Sequence, residues 1–182
     1  MNRFVRSLKN EEGLSLVELI AALTILSLVM GTIYGVITFG FTSYNKVNVE
    51  NALRDEADIV MSSIMTELYT VGPTTIETLS SGNGIILTRK DLFDEEPSTS
   101  QIFVDLETPD VKSQIRLGDP TLNPPSVKPI KIVADLKGST IQLECGSIKE
   151  CHSGLIIVDL HLQQNDAKGI PHTLNLKSRF GF

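Results

Sequence analysis

The sequence predicts an α+β protein in which one long N-terminal helix packs against a C-terminal, β-rich head of antiparallel strands. Three features predict this fold. Residues 14–41 form an apolar run, residues 42–71 repeat apolar side chains at steps of three and four, and residues 72–182 contain short alternating segments separated by turn residues. The first two patterns are typical of helices and the third of strands. A chain of 182 residues has room for one modest domain beside such a helix.

Residues 14–41 are predicted to cross a membrane. Only one of these 28 side chains is charged, and a helix of this length would extend about 42 Å, more than the ~30 Å hydrocarbon layer. A cleavable secretory segment has a shorter apolar region that ends in a small-residue cleavage site, which this run lacks. Arg3, Arg6 and Lys9 precede the run, and mainly acidic residues follow it. The positive-inside rule therefore predicts a cytoplasmic N-terminus and an exported head.

Glu18 is the charged residue within the apolar run. A carboxylate inside a membrane helix costs roughly 2.5–3.5 kcal/mol on insertion scales. Two interpretations are open: Glu18 lies near the cytoplasmic interface and reaches water, or it has a specific partner. The residues upstream bear on this choice, because the leader ends in Glu11-Glu12-Gly13 and Leu14-Ser-Leu-Val-Glu18 follows at once.

A short basic leader ending in glycine, an apolar run, and glutamate as the fifth residue after that glycine occur here together and in register. In this combination residues 1 to about 41 closely resemble the type IV pilin and type II secretion pseudopilin superfamily. Leu14 departs from the family pattern, in which phenylalanine or methionine is commoner. The resemblance implies that residues 1–13 are a cytoplasmic leader, that a prepilin peptidase cuts between Gly13 and Leu14, and that the new amino group of Leu14 is methylated.

The same resemblance implies assembly with other pilin or pseudopilin subunits on an inner-membrane assembly platform. The ammonium of Leu14 in one subunit would pair with Glu18 of a neighbour, and such a pair is strong where the dielectric constant is low. Gly31 and Gly35 form a G-x-x-x-G pair that allows close helix packing, although glycines are frequent in membrane spans generally. Many pilins carry a proline near the middle of this segment and this chain has none, which leaves a locally unwound stretch an open question.

The helix is expected to continue past residue 41 as an amphipathic stalk over residues 42–71 and to end near Gly72-Pro73. A single apolar stripe predicts packing against the chain's own head, and fewer than three clean heptads argue against a coiled coil with a partner. Residues 53–68 also resemble, more loosely, the helix after the span in J-type minor pseudopilins and W-type minor pilins. The stripe consists of Val49, Leu53, Ala57, Val60, Ile64, Leu68 and Val71.

The exported head is predicted to span residues 72–182 and to form one antiparallel sheet system. Residues 119–129 contain four prolines and indicate an exposed loop, and residues 137–140 fit a hairpin turn between neighbouring strands. The predicted strands are residues 75–79, 84–89, 101–106, 114–117, 130–136, 140–145, 155–163 and 172–180.

Cys145 and Cys151 are expected to form a disulfide if the head is exported, with two free thiols as the alternative. Zinc binding by the cysteines with His152 and His161 is less favoured, because C-x5-C is not a usual zinc spacing. No cofactor is expected. The acidic residues Asp91, Asp94, Glu95 and Glu96 lack the alternating spacing of a calcium loop and indicate a solvated turn.

No catalytic motif occurs in the sequence, so an enzyme is not predicted. The net charge of −6 disfavours nucleic-acid binding through bulk basicity, and Lys128, Lys131 and Lys137 are a weak candidate patch. The predicted function is a minor pilin or pseudopilin that helps to initiate or cap a filament in type II secretion or competence DNA uptake. The protein would lie in a bacterial cell membrane with its head periplasmic or at the cell surface. The alternatives are the major pilin of a fibre and a membrane-anchored surface-binding domain that never polymerises.

Overall fold

Helix α1 (Leu16–Val71) precedes eight strands in the computed structural model, which describes residues 15–90, 97–105, 112–122, 124–146 and 151–182. This arrangement confirms the predicted α+β fold. Gly13 and Leu14, the acidic residues at 91–96 and the predicted strand end at residue 106 lie outside the described residues. The strands are β1 (Thr75–Thr78), β2 (Gly84–Arg89), β3 (Ser98–Asp105), β4 (Gln114–Gly118), β5 (Lys128–Pro129), β6 (Thr140–Cys145), β7 (Gly154–Asn165) and β8 (Pro171–Gly181).

The chain divides into two compact units between Tyr44 and Asn45, and α1 runs through this boundary without a break. The helix ends as its sequence predicts. Gly72 has a φ of +55°, a conformation that favours glycine, and its N–H donates to the Leu68 carbonyl at 3.0 Å. Pro73, which cannot continue the helix, follows directly.

The strands of the second unit form two antiparallel sheets rather than the one sheet system that was expected. The first sheet has the order β1-β2-β3-β4-β5 and the second has the order β6-β7-β8. Short turns join β1 to β2 and β7 to β8, so these neighbours in sequence are also neighbours in space.

The core of the second unit lies between α1 and the two sheets. The helix contributes the predicted stripe, of which Leu53, Ala57, Val60 and Ile64 are buried. Alternate residues of the strands face this stripe because successive side chains point to opposite sides of a sheet. The strand residues in this core include Ile76, Ile85, Leu87, Ile102, Ile115, Ile141, Ile156, Val158, Leu160 and Leu162.

The strand predicted at residues 130–136 is wrong. The side chains of this segment do alternate in burial, since Ile130, Ala134 and Leu136 are buried. Its backbone N–H groups, however, do not all bond to one neighbouring strand. The N–H of Ile130 donates to Ile115 in the first sheet, and the N–H of Asp135 donates to Gln163 in the second, each at 2.9 Å. The segment therefore crosses between the two sheets, and we call it the crossing segment.

Two neighbouring predictions change with it. The turn at residues 137–140 forms, with the Ser139 N–H donating to the Leu136 carbonyl at 3.0 Å, but it connects the crossing segment to β6 instead of joining two strands. The proline-rich loop at residues 119–129 is largely exposed, as expected, but its last two residues form β5 at the edge of the first sheet. An edge position suits Pro129, which has no N–H to donate to a ladder.

Candidate assembly site

Residues 16–42 of α1, and Ser15 before them, are all exposed. This half of the helix is long and apolar enough to cross a membrane, with a mean hydropathy of 2.2 over its most apolar 18 residues. Its serine and threonine hydroxyl groups bond within the helix: those of Thr24, Thr32 and Thr38, for example, donate to carbonyls three or four residues earlier at 2.8–2.9 Å. A surface of this kind suits apolar surroundings, because its backbone groups and aliphatic hydroxyl groups already have partners.

Glu18 lies in the first turn of α1. The N-terminal end of a helix carries a partial positive charge, which favours a carboxylate at this position. Among the described residues Glu18 makes no ion pair. The proposed partner atom, the amino group of Leu14, lies outside the described residues, so the pairing across subunits stays a prediction.

Gly31 and Gly35 lie one turn apart on the exposed half of the helix. A Cβ added at either position would meet no atom within 4 Å. Neither glycine is therefore required by packing within the described part of the chain, and their proposed role in contact between helices stays a prediction.

Residues 8–34 match the family model of the prokaryotic N-terminal methylation motif. The chain carries this motif. The match includes Gly13, Leu14, Glu18 and Gly31, and it supports a type IV pilin-like protein. The methylation motif and the exposed apolar helix together fit a single-pass protein anchored in a membrane. No curated protein and no solved structure shows significant similarity to the chain.

Cys145 and Cys151 are joined by a disulfide in the structure, with their Cα atoms 5.9 Å apart. Both sulfur atoms proposed as alternative zinc ligands are thus already bonded. In the described ranges no group of three or more His, Cys, Asp or Glu side chains is placed to hold a metal ion. His152 and His161 bond to different parts of the head. Nδ1 of His152 lies 3.1 Å from the Thr74 carbonyl oxygen, and Nδ1 of His161 lies 2.9 Å from Asn175 Oδ1.

The three lysines named as a weak basic patch do not form one cluster. Lys128 and Lys131 line the same cleft beside α1, whereas Lys137 lies at the turn before β6 and is not part of that cleft. Sequence reasoning missed this cleft, because it is built from α1, β4 and the crossing segment, which are distant in sequence. The alternation of apolar and polar residues at 130–136 indicated that some of these side chains are buried, but it did not indicate which element packs against them.

Two carboxylates of α1 are engaged beside this cleft. Glu56 accepts the N–H of Val133 at 3.1 Å and that of Ala134 at 2.7 Å, one at each carboxylate oxygen. Glu67 accepts a hydrogen bond from the buried hydroxyl of Ser100 in β3. Both acidic side chains therefore hold the helix to the head.

Proposed function

We propose that this chain is a structural subunit of a type IV pilus-like filament. More narrowly, we propose a minor pilin or pseudopilin that helps to initiate or cap such a filament in type II secretion or competence DNA uptake. The observation that carries the proposal is the methylation motif on a helix whose apolar half is exposed from residue 15 to residue 42. The looser likeness of residues 53–68 to J-type and W-type proteins supports the minor role.

Assembly follows from the chemistry of the N-terminus. A prepilin peptidase cuts after Gly13 and methylates Leu14, which creates a cation at the membrane boundary. That cation pairs with Glu18 of an adjacent subunit as the helices pack, so that neither charge stays unpaired in the membrane. The apolar surface of the helix is covered by lipid before assembly and by neighbouring helices after it.

The proposed orientation places the N-terminus in the cytoplasm and the head outside the membrane. An exported head agrees with its disulfide, because such bonds persist in oxidising compartments. In this proposal the chain has a structural role, and the assembled filament carries out secretion or DNA uptake.

N-terminal sequencing of the protein extracted from its native membrane tests the proposal. The expected product begins with N-methyl-leucine followed by Ser-Leu-Val-Glu, which is residue 14 onward. A Gly13→Val variant is the matched control and should keep the leader. A native protein that retains residues 1–13 in fully active cells would overturn the proposal in favour of a non-polymerising anchored domain.

A second measurement addresses the minor role. Deletion of the gene for a minor subunit should abolish secretion or DNA uptake although the protein itself is scarce in sheared filaments. Recovery of this chain as the bulk of sheared fibres would instead identify it as a major pilin.

A further inference from the structure

An apolar pocket of about 270 Å³ lies where the C-terminal end of α1 meets the end of β8. Its volume is slightly below the ~300–1,000 Å³ of most small-molecule sites. Among its lining residues only Tyr69, which is 80% exposed, carries a polar side-chain group, so the pocket suits one or two apolar side chains better than a polar ligand. We call it the aromatic pocket. It is lined by Met65, Leu68, Tyr69, Gly72, Pro73, Phe180, Gly181 and Phe182.

The turn between β7 and β8 presents an apolar side chain to its surroundings. Ile170 keeps 52% of its surface exposed, although its backbone is held on both sides. Its N–H donates to Asp166 Oδ1 at 2.8 Å, and its carbonyl accepts the Asp166 N–H at 2.9 Å. Pro171, which is also exposed, fixes the backbone directly after it. A side chain on so rigid a backbone loses little conformational freedom on binding. We call residues 166–171 the hairpin tip.

Ile170 differs in its setting from the other exposed apolar residues of the described second unit. Those outside the aromatic pocket lie on α1, in the crossing segment, within β7 or in the proline-rich loop, and they are Val47, Ile59, Val133, Leu155 and Leu122. A side chain on a helix or strand stands among neighbours on a broad surface, whereas a tight turn between two strands projects from that surface. With its backbone fixed in such a turn, Ile170 is the apolar side chain best placed to enter a pocket on another molecule.

The hairpin tip and the aromatic pocket lie at opposite ends of β8. The tip leads directly into this strand, the last residue of the strand lines the pocket, and its 11 residues of extended chain span about 33 Å from first to last. This separation follows α1. The pocket lies beside residues 65–73, whereas near the tip the Gln163 carbonyl accepts the N–H of Asp135. The preceding N–H, that of Ala134, donates to Glu56. The tip therefore lies on the N-terminal side of the pocket along the helix.

We propose that the hairpin tip of one copy inserts Ile170 into the aromatic pocket of a second copy. The inference rests on the proposed filament function and adds a contact between heads. Copies anchored in one membrane share one orientation, so a tip and a pocket at opposite ends along α1 meet when one copy is displaced along the helix axis, as in a filament. The contact is heterologous and does not close on itself, and contacts of this kind generate helical assemblies. Removing both apolar surfaces from water stabilises the contact.

Cross-linking in intact cells tests the contact. A full-length chain carries Ala167→Cys in the hairpin tip and Thr70→Cys beside the pocket, and both positions are exposed. Because the two sites lie at opposite ends of the head, a short bismaleimide cannot join them within one copy. It should instead give a ladder of dimers and longer products, whereas either cysteine alone should give none. The native cysteines do not interfere, because they are bonded to each other.

Two outcomes of this experiment would overturn the inference. Dimers from a chain that carries only one of the new cysteines would show that like surfaces meet, tip to tip or pocket to pocket. Cross-links to a different protein, with no ladder of this chain, would overturn the choice of a second copy as occupant.

Substitution of the inserted side chain tests the apolar basis of the contact. Ile170→Ser should lower the yield of the ladder about tenfold, the factor that corresponds to burying the exposed half of an isoleucine side chain. Tyr69→Ser should lower it as well, and because Tyr69 is so exposed its replacement leaves the packing of the head unchanged. Leu122→Ser is the matched control, since Leu122 is 53% exposed against 52% for Ile170. Equal ladders from both variants and the control would overturn the inference.

A probe in the membrane helix separates this inference from the proposed function. Val36, which is 72% exposed, is replaced by cysteine in otherwise unchanged copies. Disulfide-linked dimers at Val36→Cys, together with a cleaved leader and no ladder from the tip and pocket cysteines, would overturn only the docking of heads. A retained leader and no dimers at Val36→Cys would overturn the filament function and the docking together.

Discussion

Asn83 connects the two sheets of the head through its side-chain amide. Its Nδ2 donates to the Ser139 carbonyl at 3.2 Å, and its Oδ1 accepts the N–H of Ile141 in β6 at 3.0 Å. Ser139 and Ile141 are both buried. A buried backbone group that loses its partner costs more than an exposed one, because water does not replace the bond.

Replacement of this amide should therefore destabilise the head. We expect Asn83→Ala to lower the free energy of unfolding by about 1–3 kcal/mol, because it leaves a buried N–H and a buried carbonyl unpaired. The measurement is urea unfolding of the detergent-solubilised chain, followed by circular dichroism. Ser81→Ala, at an exposed position in the same turn, is the control and should change little. Equal stability of the two variants would contradict the role given to Asn83.

Asp166 closes the turn between β7 and β8 and should make this turn sensitive to acid. Its Oδ1 accepts the N–H groups of Ile170 and Lys168, each at 2.8 Å, and its Oδ2 lies 3.7 Å from Nε2 of His172. The Ile170 N–H above all, and then the Lys168 N–H and His172, hold the pKa of this carboxyl below its usual value, although partial burial opposes them.

A carboxyl whose pKa is lower in the folded state stabilises that state above the unfolded pKa and ceases to do so as pH falls through the folded value. The contribution of Asp166 should therefore be complete above about pH 4 and disappear below it. The protection factor of the Ile170 amide, which is its exchange rate relative to the intrinsic rate at the same pH, should fall over that range in the wild type and be low at all pH values in Asp166→Ala. Lys168→Ala retains the backbone donor and serves as the control. A protection factor at Ile170 that does not change with pH would refute this account.

At the scale of elements, the sequence predicts helix α1 and most strands because their patterns are local. Residues 84–89 and 140–145 form strands with the predicted bounds, and the helix ends at Val71 because glycine and proline follow. The crossing segment was mistaken for a strand for a physical reason. Its apolar residues alternate because alternate side chains are buried, but its N–H groups bond to Ile115 and Gln163 in different sheets and to Glu56, which lies 77 residues before Val133. No local pattern contains that partner.

The disulfide links the last residue of β6 to Cys151, which forms an isolated bridge with β1 of the other sheet. Cys145 ends β6, and Cys151 exchanges two backbone hydrogen bonds with Ile76 of β1, at 2.9 and 3.3 Å. The disulfide therefore connects the backbone pairing of Cys151 with β1 to strand β6 of the second sheet.

Removing the bond should loosen that bridge. Cys145→Ser with Cys151→Ser should lower the free energy of unfolding by about 2 kcal/mol, the chain-entropy value for so short a loop. Hydrogen exchange at Ile76 should accelerate more than exchange in the core of β7. Ser153→Ala, an exposed neighbour, is the control. Native protein in which both thiols react with an alkylating reagent before reduction would show that the bond is absent.

At the scale of the whole molecule, the sequence predicted only the part of the candidate site that is formed by residues close together in the chain. The methylation motif matches one contiguous stretch, residues 8–34, which includes Gly13, Leu14 and Glu18, so sequence alone suggested it. The cleft lined by Lys128 and Lys131 has no such signature. Its lysines follow a proline-rich loop and its wall is a helix more than 60 residues earlier, so only the folded chain brings them together.

Glu18→Ala tests the assembly step in the complete chain. The variant should insert and be cleaved as the wild type is, since the flanking charges and Gly13 are unchanged, and loss of a carboxylate from an apolar helix favours insertion. It should nevertheless fail to enter filaments, measured as the fraction of processed protein in sheared or pelleted assemblies. Thr24→Ala, which removes a hydroxyl bonded within the helix, is the control. Normal incorporation of Glu18→Ala would remove this residue from the mechanism.

Strand β8 has a hydrogen-bonded neighbour on one side only among the described strands, since the second sheet ends with it. Over its 11 residues, outward N–H and C=O groups offer a template to any extended chain. Pro171 at its start and the charged Lys177 and Arg179 along its exposed side make such pairing unfavourable. Lys177 also lies 3.8 Å from the carboxylate of Asp159 in the neighbouring strand. Replacing Pro171, Lys177 and Arg179 with apolar residues would therefore leave the outer edge of β8 open to an extended strand of another copy, which is a first step in aggregation.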